Sequence, residues 1–222
     1  MIEIDPAGPA ANHFAAPSAN CQRCPRLVAF RERHRAAHPD WHNAPVPSFG
    51  GDDARLLIVG LAPGLKGANC TGRPFTGDYA GDLLYATLLK FGLAEGTYLE
   101  RADDGLRLKG VRITNAVRCV PPENKPETSE IKNCRPFLIA ELAALGRLKA
   151  ILALGQLAHT QVLATLGLRQ AAYKFGHEAR HTLPNGLVLA DSYHCSRYNT
   201  NTGRLTTEMF EAVFRGLLPV LG

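Results

Sequence analysis

The chain has 222 residues, 45% of them hydrophobic, which allows a full core and excludes a largely disordered protein. Lys and Arg total 25 against 20 Asp and Glu, and the formal net charge of +5 suits a polyanionic partner without requiring one. No apolar run is long enough to cross a bilayer, and the N-terminus, with Glu3 and Asp5, lacks the apolar stretch of a signal peptide, so a soluble cytoplasmic protein with no membrane partner is expected.

Residues 1–20 are rich in Ala, Pro and Asn without periodicity and read as a mobile tail. Residues 21–222 read as a single domain. Cys21-Gln22-Arg23-Cys24 is followed by Pro25, which suits the first position of a helix. Leu27, Val28 and Phe30 give that helix an apolar side, and Arg31, Arg33, His34 and Arg35 a basic end. Leu56 to Val59 is a short apolar run, the mark of a strand buried on both faces. It ends at Gly60, and Pro63, Gly64, Gly67, Gly72, Pro74 and Gly77 then crowd the next 18 residues. A buried strand opening into so flexible and polar a segment builds a site, since ligands of open α/β sheets sit beyond the carboxyl ends of the strands. Ala80 to Phe91 carries a helical apolar face, whereas Gly92 to Lys109 is polar and reads as a surface loop. Val111 to Val117 is a second strand, Thr128 onward a helix, Ala150 to Leu154 a third strand and Leu157 to Leu166 another helix. The basic segment 169–185 shows no regular pattern. Leu187 to Ala190 is a fourth strand, and Glu208 to Leu218 an amphipathic closing helix. Strands alternating with helices predict a three-layer α/β/α sandwich around a central four-stranded parallel sheet.

Four cysteines have a suggestive spacing. Cys21 and Cys24 form a Cys-x-x-Cys pair, and Cys119 and Cys134 flank the loop between the second strand and its helix. Four thiolates suit either zinc or an iron–sulfur cluster. The second pair is too wide for a zinc ribbon, which favours a [4Fe–4S] cluster, although free cysteines are also common as buried space-fillers. Cys70 and Cys195 read as such fillers.

Polar anchors fall at the ends of three strands: the Gly60–Asp78 loop, Asn115 and His194. Asn115 offers an acceptor and two donors, enough to read a nucleobase edge. His194 can donate to an oxygen gaining negative charge, and Phe75 can stack on a flat ring. Taken singly, an Asn at a strand end is more often a turn residue, a lone His structural and a Phe core. No Lys-Ser/Thr pair completes a P-loop, and the glycines do not make a dinucleotide fingerprint.

Four segments carry a family resemblance: Gly60-Leu61-Ala62-Pro63-Gly64, residues 71–78 (TGRPFTGD), residues 115–119 (NAVRC), and residues 193–199 (YHCSRYN) with 202–205 (TGRL). In order and spacing the sequence resembles the uracil-DNA glycosylase superfamily, in particular its iron–sulfur, B-type (family 5) branch. The resemblance implies a monofunctional DNA repair enzyme that flips a damaged base out of single- or double-stranded DNA and hydrolyses its N-glycosidic bond. It implies a monomer associated with the nucleoid of a prokaryote, and a structural [4Fe–4S] cluster on Cys21, Cys24, Cys119 and Cys134. Gly60, Ala62, Pro63, Gly64, Phe75, Asn115 and His194 would line the base pocket. His194, Asn115 and Asn69 would carry catalysis: Ala62 stands where most relatives outside this branch place a carboxylate or Asn, and Asn69 matches the place later in the same loop where some members of the branch have a polar residue. Gly64 stands where other uracil enzymes of the superfamily carry a tyrosine, which implies room for deaminated purines as well as uracil. DNA contacts are expected from Arg73, Arg118, Arg197, Tyr198, Asn199 and Arg204. Two rival readings are a nucleotide-binding hydrolase on the Gly-rich loop and a non-catalytic iron–sulfur or zinc DNA-binding module.

Overall fold

The strands at the centre of the molecule are uniformly apolar because helices cover both of their faces. The computed structural model describes residues 16–222, so most of the expected N-terminal tail lies outside the described residues. The elements in order are α1 (Pro25–Ala37), β1 (Leu56–Gly60), α2 (Ala68–Thr71), α3 (Tyr79–Lys90), β2 (Ala94–Glu95), β3 (Arg107–Leu108) and β4 (Val111–Asn115). There follow α4 (Thr128–Ala144), β5 (Ala150–Leu154), α5 (Gln156–Thr165), β6 (Arg180–Thr182), β7 (Val188–Ser192), α6 (Arg197–Asn201) and α7 (Thr207–Leu221). No helix among the described residues is long and apolar enough to cross a membrane.

The main sheet has the order β4-β1-β5-β7-β6. Its first four strands are parallel, as expected, and β6 adds a fifth, antiparallel to β7. That edge strand is three residues long, and Arg180 and Thr182 are exposed. A short, charged edge guards against pairing with other chains, and it leaves no apolar alternation to read in the sequence. Within the central strands the faces alternate. Leu56, Ile58, Leu152 and Leu154 join Leu84 and Leu88 of α3 and Phe210, Phe214 and Leu217 of α7 in one core layer. Leu57, Val59, Ile151 and Ala153 join Leu138 of α4 and Val162 and Leu163 of α5 in the other. The helix after β1 therefore covers one face and the helix after β5 the other. The crevice this reversal opens lies beyond the carboxyl ends of the two central strands.

A buried ionic network ties the sheet to α4. Glu141 accepts from Arg112 Nε at 2.6 Å, from Thr114 Oγ1 at 2.9 Å and from Arg118 Nη2 at 2.5 Å. Arg118 Nη1 also donates to Ser48 Oγ at 2.6 Å. Despite its burial, Glu141 keeps a pKa below the ordinary carboxylate range, because the two guanidiniums and its hydrogen bonds outweigh the desolvation. Replacing Glu141 by Ala strands buried positive charge and is expected to cost roughly 3–5 kcal/mol of stability, measured as a lowered urea midpoint.

Candidate active site and cysteine centre

Parallel pairing sets Gly60 directly beside Asn115, so the first loop and the end of β4 meet at one level. A Cβ on residue 60 would collide with Asn115 Oδ1 and stand 2.7 Å from Phe75 Cζ, and only glycine fits. Beyond them opens a cavity of about 620 Å³, lined by Ala62, Pro63, Gly64, Phe75, Asp78, Asn115 and His194 among others. That volume lies within the range of small-ligand sites. The Phe75 and His194 rings stand 6.0 Å apart at 31°. Three side chains far apart in the sequence thus converge on one space. His194 is steadied from two sides: Asn199 Nδ2 donates to its carbonyl at 2.8 Å, and His177 stacks on the preceding Tyr193.

Phe75 holds φ at +52°, a left-handed conformation costly for an aromatic residue. Its surroundings enforce it. Tyr85 Oη donates to Pro74 O at 2.6 Å and Tyr98 Oη to Phe75 O at 3.4 Å. Arg73 donates from Nη1 and Nη2 to the two oxygens of Asp104, each at 2.7 Å, and from Nε to Thr76 Oγ1 at 2.8 Å. The rings of Phe49, Tyr85 and Tyr98 surround the same guanidinium.

Asp78 is the functional candidate that the sequence reading did not single out. It caps α3, accepting from Gly81 N at 3.3 Å, and a cap accounts for an Asp before a helix so well that the sequence signal ends there. Its Oδ2 nevertheless lies against the Gly64–Gly67 turn, where a Cβ on residue 67 would stand 2.5 Å away. Desolvation raises its pKa, against the pull of the Gly81 N–H and of His194. Desolvation likewise lowers the pKa of His194, opposed by Asp78, which favours the neutral imidazole. Asn69 is absent from the lining. It is buried, and its Nδ2 donates to Asn43 Oδ1 at 2.9 Å, so the expectation that it serves catalysis loses its geometric basis. Lys66 and Asn124 also border the cavity.

The Cys-x-x-Cys pair and the distant cysteines share a second cavity, lined by Cys21, Cys24, Cys119 and Cys134 together with Leu27, Arg31, Val117 and Phe137. Arg26 clamps α1 to α4 by donating to both oxygens of Glu130 at 2.8 Å, which brings the two halves of the set together. All four are free cysteines, and among the described residues no three His, Cys, Asp or Glu side chains stand in ligating geometry. Burial, and then the neighbouring Cys134, push the Cys119 thiol up to about 12. Cys195 is a fully buried core residue, and its Sγ approaches Ala80 O at 3.4 Å.

The model of the family described as "Uracil DNA glycosylase superfamily" matches residues 47–218. This chain belongs to that superfamily. It is 50% identical over 196 residues to the type-5 uracil-DNA glycosylase of Thermus thermophilus, covering 86% of this chain and 89% of the relative. It is 42% identical over 200 residues to the type-5 uracil-DNA glycosylase of Pyrobaculum aerophilum, covering 88% and 87%. With a type-4 uracil-DNA glycosylase of the same organism the identity is 34% over 151 residues, covering 68% and 63%.

Measured against the set expected to touch DNA, the superfamily fold sorts the arginines. Arg73 and Arg118 are 3% and 4% exposed and are committed to Asp104 and Glu141, so both leave that set as buried structural ions. Arg197 is exposed, borders the cavity and lies over the Tyr79 ring. Arg204 is exposed over Tyr193, whereas Tyr198 projects freely, 71% exposed. Asn199 is turned inward to support His194.

Because the folded-state pKa of Asp78 is raised, its ionised form destabilises the fold at neutral pH. Asp78→Asn keeps a good cap and is expected to raise the melting temperature at pH 7. The gain should fade as the pH falls into the ordinary aspartate range, where the wild-type carboxyl is protonated as well. Melting curves at several pH values check this.

Proposed function

We propose that this chain is a uracil-DNA glycosylase that hydrolyses the N-glycosidic bond of a base swung out of DNA into the cavity beside Phe75. The observation that carries the reading is the convergence of Phe75, Asn115 and His194 on one space at the switch point of the sheet. A base must leave the stack for its glycosidic bond to be reached. In this reading Phe75 stacks on its face, Asn115 pairs with its edge and His194 donates to its O2.

Water adds to C1′ as the C1′–N bond breaks, and the bonding electrons leave with the base. The sugar passes through a cationic state and the base departs as an anion, so much of the catalysis lies in holding that anion. His194, neutral by burial, is suited to donate to it. Asp78 is the carboxylate of this cavity, and its raised pKa brings it nearer the operating pH of a general base for the water. Ala62 has no polar atom for that task, and Asn69 is engaged elsewhere. The cavity of about 620 Å³ with small residues at Ala62 and Gly64 favours a broad range that includes hypoxanthine and xanthine. Tyr198, rather than Arg197 or Asn199, is the residue assigned to fill the vacated stack, because it alone of the three is both aromatic and unengaged.

The four cysteines fit a [4Fe–4S] cluster. They line one cavity, their ionised forms repel one another, and a buried arginine beside them lacks acceptors for two of its nitrogens. Such a cluster would join α1 to the loop after β4, a structural role.

Incubation of the protein with DNA carrying single uracil, hypoxanthine or xanthine residues, followed by alkaline cleavage, tests the activity. Strand breaks at uracil and at one deaminated purine are expected. No cleavage at all leaves the non-catalytic DNA-binding reading, and cleavage at uracil alone removes the broad range. His194→Ala should fold normally and lose about 10²–10³ in rate. Tyr198→Ala should act nearly as wild type on single strands and more slowly on duplex, where the gap must be filled. Borohydride should trap no covalent complex with Lys66, as expected of a simple hydrolase.

A further inference from the structure

Arg31 sits on α1, about two turns beyond the N-cap residue Cys24, and is 2% exposed. Nη2 donates to Cys21 O at 3.1 Å. Nε and Nη1 are buried with no hydrogen-bond acceptor among the described residues. The nearest carboxylate is Glu32, 3.7 Å from Nε and itself half exposed, too distant for a hydrogen bond. A guanidinium cannot shed its proton, and stranding one in the interior is strongly unfavourable. The half-exposed Glu32 answers this charge only weakly, and further negative charge nearby would complete it. The cavity that Arg31 lines holds four cysteines and no carboxylate.

We infer that Arg31 is the charge partner of the cysteine centre: its Nε and Nη1, without acceptors in the cavity of the four cysteines, would offset the negative charge of the thiolates and the cluster they hold and so set its reduction potential and its lifetime. The inference rests on the cluster reading above. Four thiolates around a [4Fe–4S]²⁺ core carry a net charge of −2. Bringing that charge into a cavity walled by Leu27, Val117 and Phe137 calls for compensation. The main-chain N–H of Arg118, donating to Cys134 Sγ at 3.4 Å, supplies a dipole to the same end. Arg118's own guanidinium is taken by Glu141, and Arg23, which also lines the cavity, is exposed over the Phe137 ring, which leaves Arg31 as the buried guanidinium of the centre without acceptors for two of its nitrogens. Hydrogen bonds and charge beside the sulfurs are established levers on potential.

The test uses the full chain purified under anaerobic conditions, with iron content, visible absorbance and an EPR-monitored redox titration as readouts. Arg31→Met preserves bulk and removes the charge. Its midpoint potential should fall, because the reduced, more negative cluster loses its partner, and its absorbance should bleach about 10–100-fold faster in the presence of a chelator. Arg31→Lys should restore most of the potential, while Arg33→Met, exposed on the same helix, should move neither readout. If Arg31→Met does not fold, Arg31→Gln carries the same comparison. A folded, neutral variant with wild-type potential and lifetime overturns the inference and leaves the cluster standing. Wild-type protein purified without iron overturns the cluster reading and this inference with it.

Discussion

The ion pair between Arg73 and Asp104 is the constraint on which the cavity beside Phe75 depends. A left-handed Phe stores strain of order 1–3 kcal/mol, whereas separating a buried pair costs roughly 3–5 kcal/mol, so the anchor prevails. Its geometry explains why. The guanidinium uses three nitrogens, two on Asp104 and one on Thr76, and three aromatic rings exclude water around it. Asp104 in turn accepts from the main-chain N–H groups of Leu99 and Leu106. The loop between β2 and β3 is thereby locked to the loop that carries Phe75, and the ring is presented to the cavity as a fixed surface.

The same cavity pushes two titratable groups in opposite directions. Desolvation raises Asp78 and lowers His194, so burial favours the uncharged form of both. Their mutual attraction works against that trend without reversing it. An acceptor for a proton and a neutral donor for an anion can therefore stand within one cavity, a separation of roles set by environment rather than by residue type. Burial likewise favours the uncharged form of Cys24, Cys119 and Cys134, and Arg31 lines the cavity they share.

The superfamily's architecture makes these sites possible at modest cost. Strands β1, β4 and β7 each end in a polar loop at the same edge, and the switch in winding between β1 and β5 leaves the space between those loops open. The buried network around Glu141 closes the other side of the sheet by α4, so Arg112 and Arg118 act as struts within the protein. Arginines in glycine-rich or strand-end motifs look alike in a sequence whether they grip a carboxylate or a phosphate.

The chain by itself determined the layer order and the parallel core, because apolar runs such as Leu56–Val59 and Ala150–Leu154 admit little else. It also marked Gly60, Phe75, Asn115 and His194, since loops following buried strands must lie at one edge of such a sheet. What it left undecided are pairings between distant segments. Asp104 lies in a stretch polar enough to read as surface, and only packing reveals it as the partner of Arg73. Asp78 is a helix cap by local pattern and a cavity carboxylate only once the Gly64–Gly67 turn folds over it. Arg31 belongs to the basic end of a helix until its burial beside the cysteines is seen. Local periodicity records which face of an element is apolar. It carries no information about which charge will meet which, because that depends on three-dimensional proximity between residues many positions apart.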